Sequence, residues 1–324
     1  VNNLSNAVFS PIQKHLDDFR QQRRMQAGSL IISAFGDAVL ARGGRIWLGS
    51  LITLLAPLEL NDRLIRTSIF RLVKEEWLYS ETVGRRADYM LTPAGQRRFE
   101  ESARHIYASS APIWDRRWRL VFTVGELDAK ARERLRSAFF WQGFGALGPD
   151  CFVHPSADLN TAFDALMTEG LGDLTKHLMP LLAADPGSGH SAKDADLVKR
   201  AWNLDKLASG YADFVARYSP ILNQLRQDAQ PDFDDERAFL LRTLLIHDFR
   251  RLLLRDPELP DVLLPAHWPG QAARLLCKEI YRRLLVASER HLELHLKLAN
   301  GSTPKALPML GERFQMLDPL SPLI

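Results

Sequence analysis

Residues 60–78 read LNDRLIRTSIFRLVKEEWL, and residues 83–92 read VGRRADYMLT. The first stretch has helical spacing. Asn61 or Asp62 can cap it, and Ile65, Ile69, Leu72 and Glu76 share one stripe, with Leu64 and Val73 beside it. Arg63, Arg66, Thr67, Phe70, Arg71 and Lys74 fall on or near the opposite face. The second stretch sets Arg85 and Arg86 in a turn, GRRA, between the strand-like pieces WLYSETV and DYMLT. A charged helix face alone is ordinary solvated surface. A basic helix followed by an arginine-tipped hairpin asks for more.

The flanking sequence supplies a frame. SLIISAFGDAVL is apolar at helical spacing behind Ser29, which can cap its first turn. GGRIW follows as a glycine turn and short strand. LGSLITLLAPL is a second helix, ended near Pro57 because proline brings no amide hydrogen. Pro93 opens another helix, PAGQRRFEESARHIY. Helix, strand, helix, helix and two-stranded wing is the order of a winged helix-turn-helix. The third helix of that motif reads the major groove, while the wing meets backbone or minor groove. Arginine suits this task because its planar fork can meet guanine or phosphate with two hydrogen bonds.

The bulk composition agrees with that frame. A chain of 324 residues is long enough for about two or three domains. Its 46% hydrophobic and 25% charged residues are those of a soluble globular protein. No apolar run approaches the ~20 residues needed to cross a bilayer, so no membrane partner is expected. The opening residues lack the pattern of a signal peptide. Cys151 and Cys277 lie far apart and form no metal-type pair, which favours reduced thiols and a cytoplasmic location. The net charge of +3 is unevenly spread. Residues 1–100 carry 14 Lys and Arg against 10 Asp and Glu, and the remainder 28 against 29. The basic excess sits in the N-terminal third, as a nucleic-acid surface there would need.

Beyond a linker, SSAPIWDRRW at 109–118, WRLVFTV alternates as a half-buried strand with Trp118, Leu120, Phe122 and Val124 on one face. ELDAKARERLRSAFFWQG is an amphipathic helix, FGALGPDCFVHP a hairpin, about 158–170 a helix, and KHLMPLLA an apolar stretch. Strand, helix, two strands, helix, strand is a ferredoxin-like order. DPGSGHSAKD at 185–194 marks the next boundary. The rest is nearly all helical, apolar enough for a bundle of its own, with proline-rich DPELPDVLLPAHWPG as a connector. The expected fold is therefore α+β and mostly helical. Its parts are an extension at 1–27, a winged helix-turn-helix at 28–108, a ferredoxin-like unit at 109–186, a helical domain at 187–300 and a tail at 301–324.

Several motifs invite other chemistry and lack its context. GFGALG at 143–148 has dinucleotide-type glycine spacing, but a helix precedes it and Pro149 follows. DPGSGHSAK has no Gly-Lys-Ser/Thr. In HLELHL, His291 and His295 lie one turn apart, yet Glu293 is one position late for the zinc-protease pattern. His247 and Asp248 are neighbours on a helix, so they point about 100° apart and make no intimate pair. A buried polar network suits them better than part of a ligand pocket. No nucleophile elbow or acid/base pair of carboxylates appears, and WRLVFTV offers no acidic residue for a nuclease metal. An enzyme, either a nuclease or an acyl-CoA hydrolase, is the disfavoured alternative, and no catalytic residue, metal or cofactor is expected.

GGRIWLGSL, RLIRTSIFRLVKEEWL, GRRADYMLT, WDRRW, WQGFGALGPD and DPELPDVLLPAHWPGQAARLLCKEIY, in this order, together resemble PaaX-type repressors from about residue 28 to about 285. The resemblance implies a homodimer that binds a double-stranded DNA operator, represses phenylacetate-degradation genes and is released by phenylacetyl-CoA or a related aryl-acyl-CoA. By position it makes Asn61–Trp77 the reading helix and Gly84–Arg86 the wing tip. DNA contacts are then expected from Arg63, Arg66, Thr67, Arg71, Lys74, Arg85 and Arg86. A coenzyme A ester needs cations for its phosphates and an apolar slot for its aryl end. Trp141, Arg250, Arg251, His267, Trp268 and Arg274 have that chemistry and are the candidate effector residues.

Overall fold

The computed structural model describes residues 10–21, 27–108, 110–184, 193–227 and 234–314. The linker expected at 185–194 and the end of the tail lie largely outside the described residues. The chain is mostly helical, with two small antiparallel sheets. It divides into two compact units. The first comprises residues 1–109, 213–251 and 272–324, and the second 110–212 and 252–271. Compactness thus cuts the chain otherwise than at the expected 187 and 300. The residues of the expected C-terminal helical domain are divided between the two units.

In the first unit, α1 (Pro11–Arg20) and α2 (Ala27–Ala34) lead into a π-helical turn, Phe35–Val39, and a 3-10 turn, Leu40–Arg42. Ser29 lies inside α2, so it is no N-cap, and its hydroxyl receives Arg250 Nη1 at 3.4 Å instead. Next come β1 (Arg45–Trp47), α3 (Leu48–Leu55), α4 (Asp62–Lys74), β2 (Leu78–Val83), β3 (Arg86–Leu91) and α5 (Pro93–Ile106). The order in the sheet is β1-β3-β2, antiparallel throughout.

α4 starts where its cap dictates, with Asn61 Oδ1 accepting from the Leu64 amide at 2.8 Å. Ile65, Ile69 and Leu72 are buried, and α2 is the helix packed against α4. Glu76 departs from the expected stripe. It is exposed at φ 59°, one residue past the Glu75 cap. The Trp77 amide donates to the Leu72 carbonyl and the Glu76 amide to that of Val73, a Schellman stop with glutamate where glycine is usual.

The second unit holds β4 (Arg117–Thr123), α6 (Ala129–Trp141), β5 (Gly145–Ala146), β6 (Cys151–His154), α7 (Leu159–Thr168), α8 (Gly172–Thr175), β7 (Leu178–Ala184) and α9 (Asp194–Ala201). Its sheet runs β5-β6-β4-β7, again antiparallel. β4 is covered on both faces, not on one as its alternation suggested. Val121 packs with Leu135, Phe139, Phe152 and Leu166. Trp118 packs with Val153, Val198, Trp202, Leu259 and Leu263. The proline-rich connector therefore supplies core to this sheet. Gly145 is needed there, because a Cβ would lie 2.7 Å from the Trp202 ring.

Three long helices, α10 (Asp205–Gln227), α11 (Asp235–Leu253) and α12 (Pro269–His295), each contain a cut between the units. A short helix, α13 (Met309–Glu312), follows in the first. His247 on α11 is buried, with Nδ1 3.2 Å from Ser33 Oγ, while Asp248 turns to Tyr218 and Arg217. The two neighbours do serve separate networks. Burial is the main cause that lowers the His247 pKa to about 4, with Arg251 and Arg250 adding to it against Asp248.

A histidine that resists protonation only when folded makes the unfolded chain bind more protons between pH 6.5 and 4. Stability therefore rises with pH through that window and is level above it. A shift from 6.5 to about 4 corresponds to about 3 kcal/mol, all of it lost below the folded value. In His247→Gln the denaturation midpoint should fall less than in the parent between pH 7 and pH 4. Parallel pH dependence in the two proteins would remove His247 from the acid response.

Candidate nucleic-acid interface

α4 presents its basic residues to solvent. Arg63, Arg66, Thr67, Arg71 and Lys74 are all exposed, and Phe70 among them is 71% exposed. Arg66 Nε pairs with Asp62 at 2.7 Å and Arg71 Nε with Glu75 at 2.8 Å, each one helical turn away. Exposed pairs of this type are worth only about 0.3–0.5 kcal/mol, so a phosphate or a guanine edge can displace them cheaply. Arg63 and Lys74 have no ion-pair partner among the described residues. Thr67 Oγ1 donates to the Arg63 carbonyl at 2.8 Å, which leaves its lone pairs toward solvent.

The hairpin separates its two arginines. Val83 pairs with Arg86, so the loop is two residues, Gly84 and Arg85. Gly84 carries the positive φ, 62°, that a Gly-X hairpin turn places at its first position. Arg85 is exposed at the tip and has no ion-pair partner among the described residues. Arg86 belongs to β3 rather than to the turn. Its guanidinium lies 4.4 Å from the Trp47 ring centroid, and Nη1 reaches the Ala299 carbonyl at 3.4 Å. Of the two hairpin arginines, Arg85 is therefore the one that can reach a ligand without giving up a contact seen among the described residues.

This difference gives a measurable outcome. Arg85→Ala should weaken DNA binding about equally for all sequences and flatten log K against log salt by about one unit, as expected for one phosphate contact. Arg86→Ala should leave that slope nearer the parent's and lower thermal stability, because it removes a cation–π contact. The reverse pattern in salt titrations would exchange the two roles.

The candidate effector residues divide between the units. In the second, Trp141 ends α6 at 68% exposure, edge-on to Phe140. His267 is exposed at φ 67°, and Trp268 sits edge-on to Tyr211, whose hydroxyl donates to Asp256 at 2.5 Å. In the first, Arg250 is half-buried, its pKa lowered mainly by burial and then by Arg251, which is itself exposed. Arg274 is half-buried on α12.

Sequence reasoning missed the charged centre of the first unit. Asp37, in the π-helical turn, is 2% exposed. It accepts from Tyr107 at 2.6 Å, from Tyr281 at 3.0 Å and from Arg313 Nη1 at 2.9 Å. Arg242 Nε lies 2.7 Å from its Oδ2, a close ion pair though the angle is not that of a hydrogen bond. Glu289 joins the group through Arg242 and Arg42, each at 2.5 Å. Burial opposes the charge on Asp37, but Arg242 and Arg313 outweigh it and hold the carboxyl below its usual range. An aspartate in the apolar SAFGDAVL and an arginine in AFLLRTLLI were the available signals.

Among the described residues no group of three or more His, Cys, Asp or Glu could hold a metal. His291 stacks on Phe239 and lies 4.5 Å from the His295 ring. No helix among them is long and apolar enough to cross a membrane.

Family models match in three consecutive stretches. A PaaX-like protein model covers residues 26–95, the PaaX protein central Cas2-like domain 111–193, and the PaaX-like protein C-terminal domain 202–294. The transcriptional repressor PaaX of Escherichia coli (strain K12) is 36% identical over 290 residues, 90% of either chain. Among solved structures, an uncharacterized protein from Mycobacterium tuberculosis aligns with a TM-score of 0.52, covering 82% of this chain and 97% of that one. At 21% identity that likeness speaks for the fold alone. With three consecutive family models and a relative matched over nine-tenths of its length, the chain belongs to the PaaX family.

Proposed function

We propose that this protein is a transcriptional repressor that reads duplex DNA through α4 and the β2–β3 hairpin. On this reading residues 28–108 act as a winged helix-turn-helix, with α4 in the major groove and Arg85 on the phosphate backbone. The antiparallel order β5-β6-β4-β7, with its helical crossovers, suits a ferredoxin-like central unit. The observation that carries the proposal is the exposed basic face of α4 beside the free Arg85, in a chain 36% identical to a named repressor. The role is non-enzymatic and cytoplasmic.

The finer reading adds a homodimer, phenylacetate catabolic genes as targets, and release by phenylacetyl-CoA or a related aryl-acyl-CoA. Two copies would set their reading helices about 34 Å apart, or a multiple of it, to meet successive turns of one DNA face. The ester can shift that equilibrium only by the difference in its affinity for the two states. Arg250, Arg251, Arg274, Trp141, His267 and Trp268 are the candidates for holding the ester by the chemistry of their side chains alone.

The test uses the whole chain and an operator selected in vitro from random duplexes. Sequence-specific binding is expected, weakened by phenylacetyl-CoA and not by phenylacetate. DNA should lower affinity for the ester by the same factor. Absence of specific binding overturns the repressor reading. Binding that ignores the ester replaces the effector only.

A further inference from the structure

α12 ends at His295, and the chain that follows is tied to the three-stranded sheet of the first unit and to the α3 and 3-10 residues that flank β1. Ser50 Oγ donates to the His295 carbonyl at 2.6 Å and accepts from the Lys297 amide at 2.9 Å. The Trp47 amide donates to the Lys297 carbonyl at 3.0 Å. The Ala299 amide donates to Asp88 Oδ1 at 2.6 Å, and the Ala299 carbonyl accepts from Arg86. Lys297 Nζ reaches Thr303 Oγ1 at 2.6 Å, and Arg42 Nη1 donates to the Pro304 carbonyl at 2.9 Å.

Asp88 is the centre of this arrangement. It lies on the middle strand, opposite Trp47 on one side and Glu81 on the other, and is 1% exposed. Its second oxygen accepts from Arg45 Nε at 2.7 Å, and Arg45 Nη1 pairs with Glu81 at 2.9 Å. The Asp88 carboxylate therefore joins β3 and β1 to the segment beyond α12, and Arg45 carries the link on to Glu81 of β2. The hairpin needs such an anchor. β2 buries only Leu78 fully, and β1 is three residues long, so little apolar area fixes the outer strands. A buried carboxylate, by contrast, is held where its donors are.

We propose that residues 296–304 are a strap that fixes the position of the β2–β3 hairpin, with Asp88 as its positioning residue. The consequence for DNA rests on the repressor reading above; the mechanical statement does not. Arg86 serves the strap, through Trp47 and the Ala299 carbonyl, and Arg85 is the cation that the strap presents. DNA affinity then depends on a segment that need not touch DNA.

Asp88→Asn in the full chain is the test. Asparagine can still accept from Ala299 but turns an amide group toward Arg45. Hydrogen exchange should speed up at the amides of 78–91 and 297–299, relative to those of α4. Operator affinity should fall about tenfold, with a salt slope shallower by about one. Arg85→Ala should then cost little more in the Asp88→Asn background, because the wing has already lost its register. A variant that only melts earlier, with unchanged slope, unchanged wing exchange and the full cost of Arg85→Ala, overturns the proposal. Ser50→Ala loosens the root of the strap without touching a charge and is read in the same way if Asp88→Asn does not fold. Should the parent bind no DNA, the exchange readout still decides the strap, and the failure belongs to the repressor reading.

Discussion

Arg66→Glu combined with Arg71→Glu is expected to abolish specific operator binding while leaving the fold intact. Both side chains are exposed on α4 and held only by helix-surface pairs to Asp62 and Glu75. Reversal sets like charges one turn apart, which costs a few tenths of a kcal/mol per pair and is too little to unfold the unit. At the DNA the loss is much larger. A good bidentate contact is worth about 1–3 kcal/mol, and two such losses with new repulsion imply a drop of at least about a hundredfold. The salt slope should fall by about two units if both residues meet phosphate, and by less if either reads a base. Fluorescence anisotropy across a salt series measures both quantities, with circular dichroism as the check on folding. Parent-like affinity in the double variant would sink the assignment of α4 as the reading helix.

How much of this was legible beforehand depends on the range of the interaction that decides each feature. α4 was legible because its signals are local. Asn61 caps it, Ile65, Ile69 and Leu72 repeat at helical spacing, and the basic residues occupy the remaining arc. Local signals also gave the hairpin but misplaced Arg86 by one position, since a two-residue loop needs only Gly84 and Arg85. What Arg86 does was hidden because Trp47 and Ala299 lie 39 and 213 positions away from it. The two-sided burial of β4 was missed for the same reason. Alternation predicts a one-faced strand when the second cover comes from Leu259 and Leu263, in a segment that reads as a connector.

Composition likewise could not show where a compact unit ends. A fragment stopping near Tyr107 looks like an independent DNA-binding domain in the sequence, yet it would hold Asp37 without Arg242, Tyr281 and Arg313. The complementary fragment from 109 onward would hold those donors without their acceptor. Ligand and DNA measurements on this protein therefore belong to the whole chain.

The same buried group supports the largest stability effect. Arg242→Ala should destabilise the first unit by about 3–5 kcal/mol, the usual result when one partner of a buried ion pair is removed. Arg242 is fully buried and lies between two carboxylates, those of Asp37 and Glu289. Alanine leaves both facing a cavity, with Arg313 alone to offset Asp37 and Arg42 alone to offset Glu289. Asp37→Asn combined with Arg242→Leu should recover part of the loss, because the uncompensated charge and the empty volume are both reduced. The pH dependence follows from the depressed carboxyl of Asp37. Its contribution is complete above the unfolded pKa, about 3.9, and is lost as pH falls through the lower folded value. Asp37→Asn should therefore unfold less steeply than the parent on acidification below about pH 4, having no such carboxylate to protonate. Urea titrations at pH 7 and pH 3 measure both effects. A cost under about 1 kcal/mol for Arg242→Ala would mean that water or a neighbouring side chain replaces the guanidinium, and that the network does not hold the unit together.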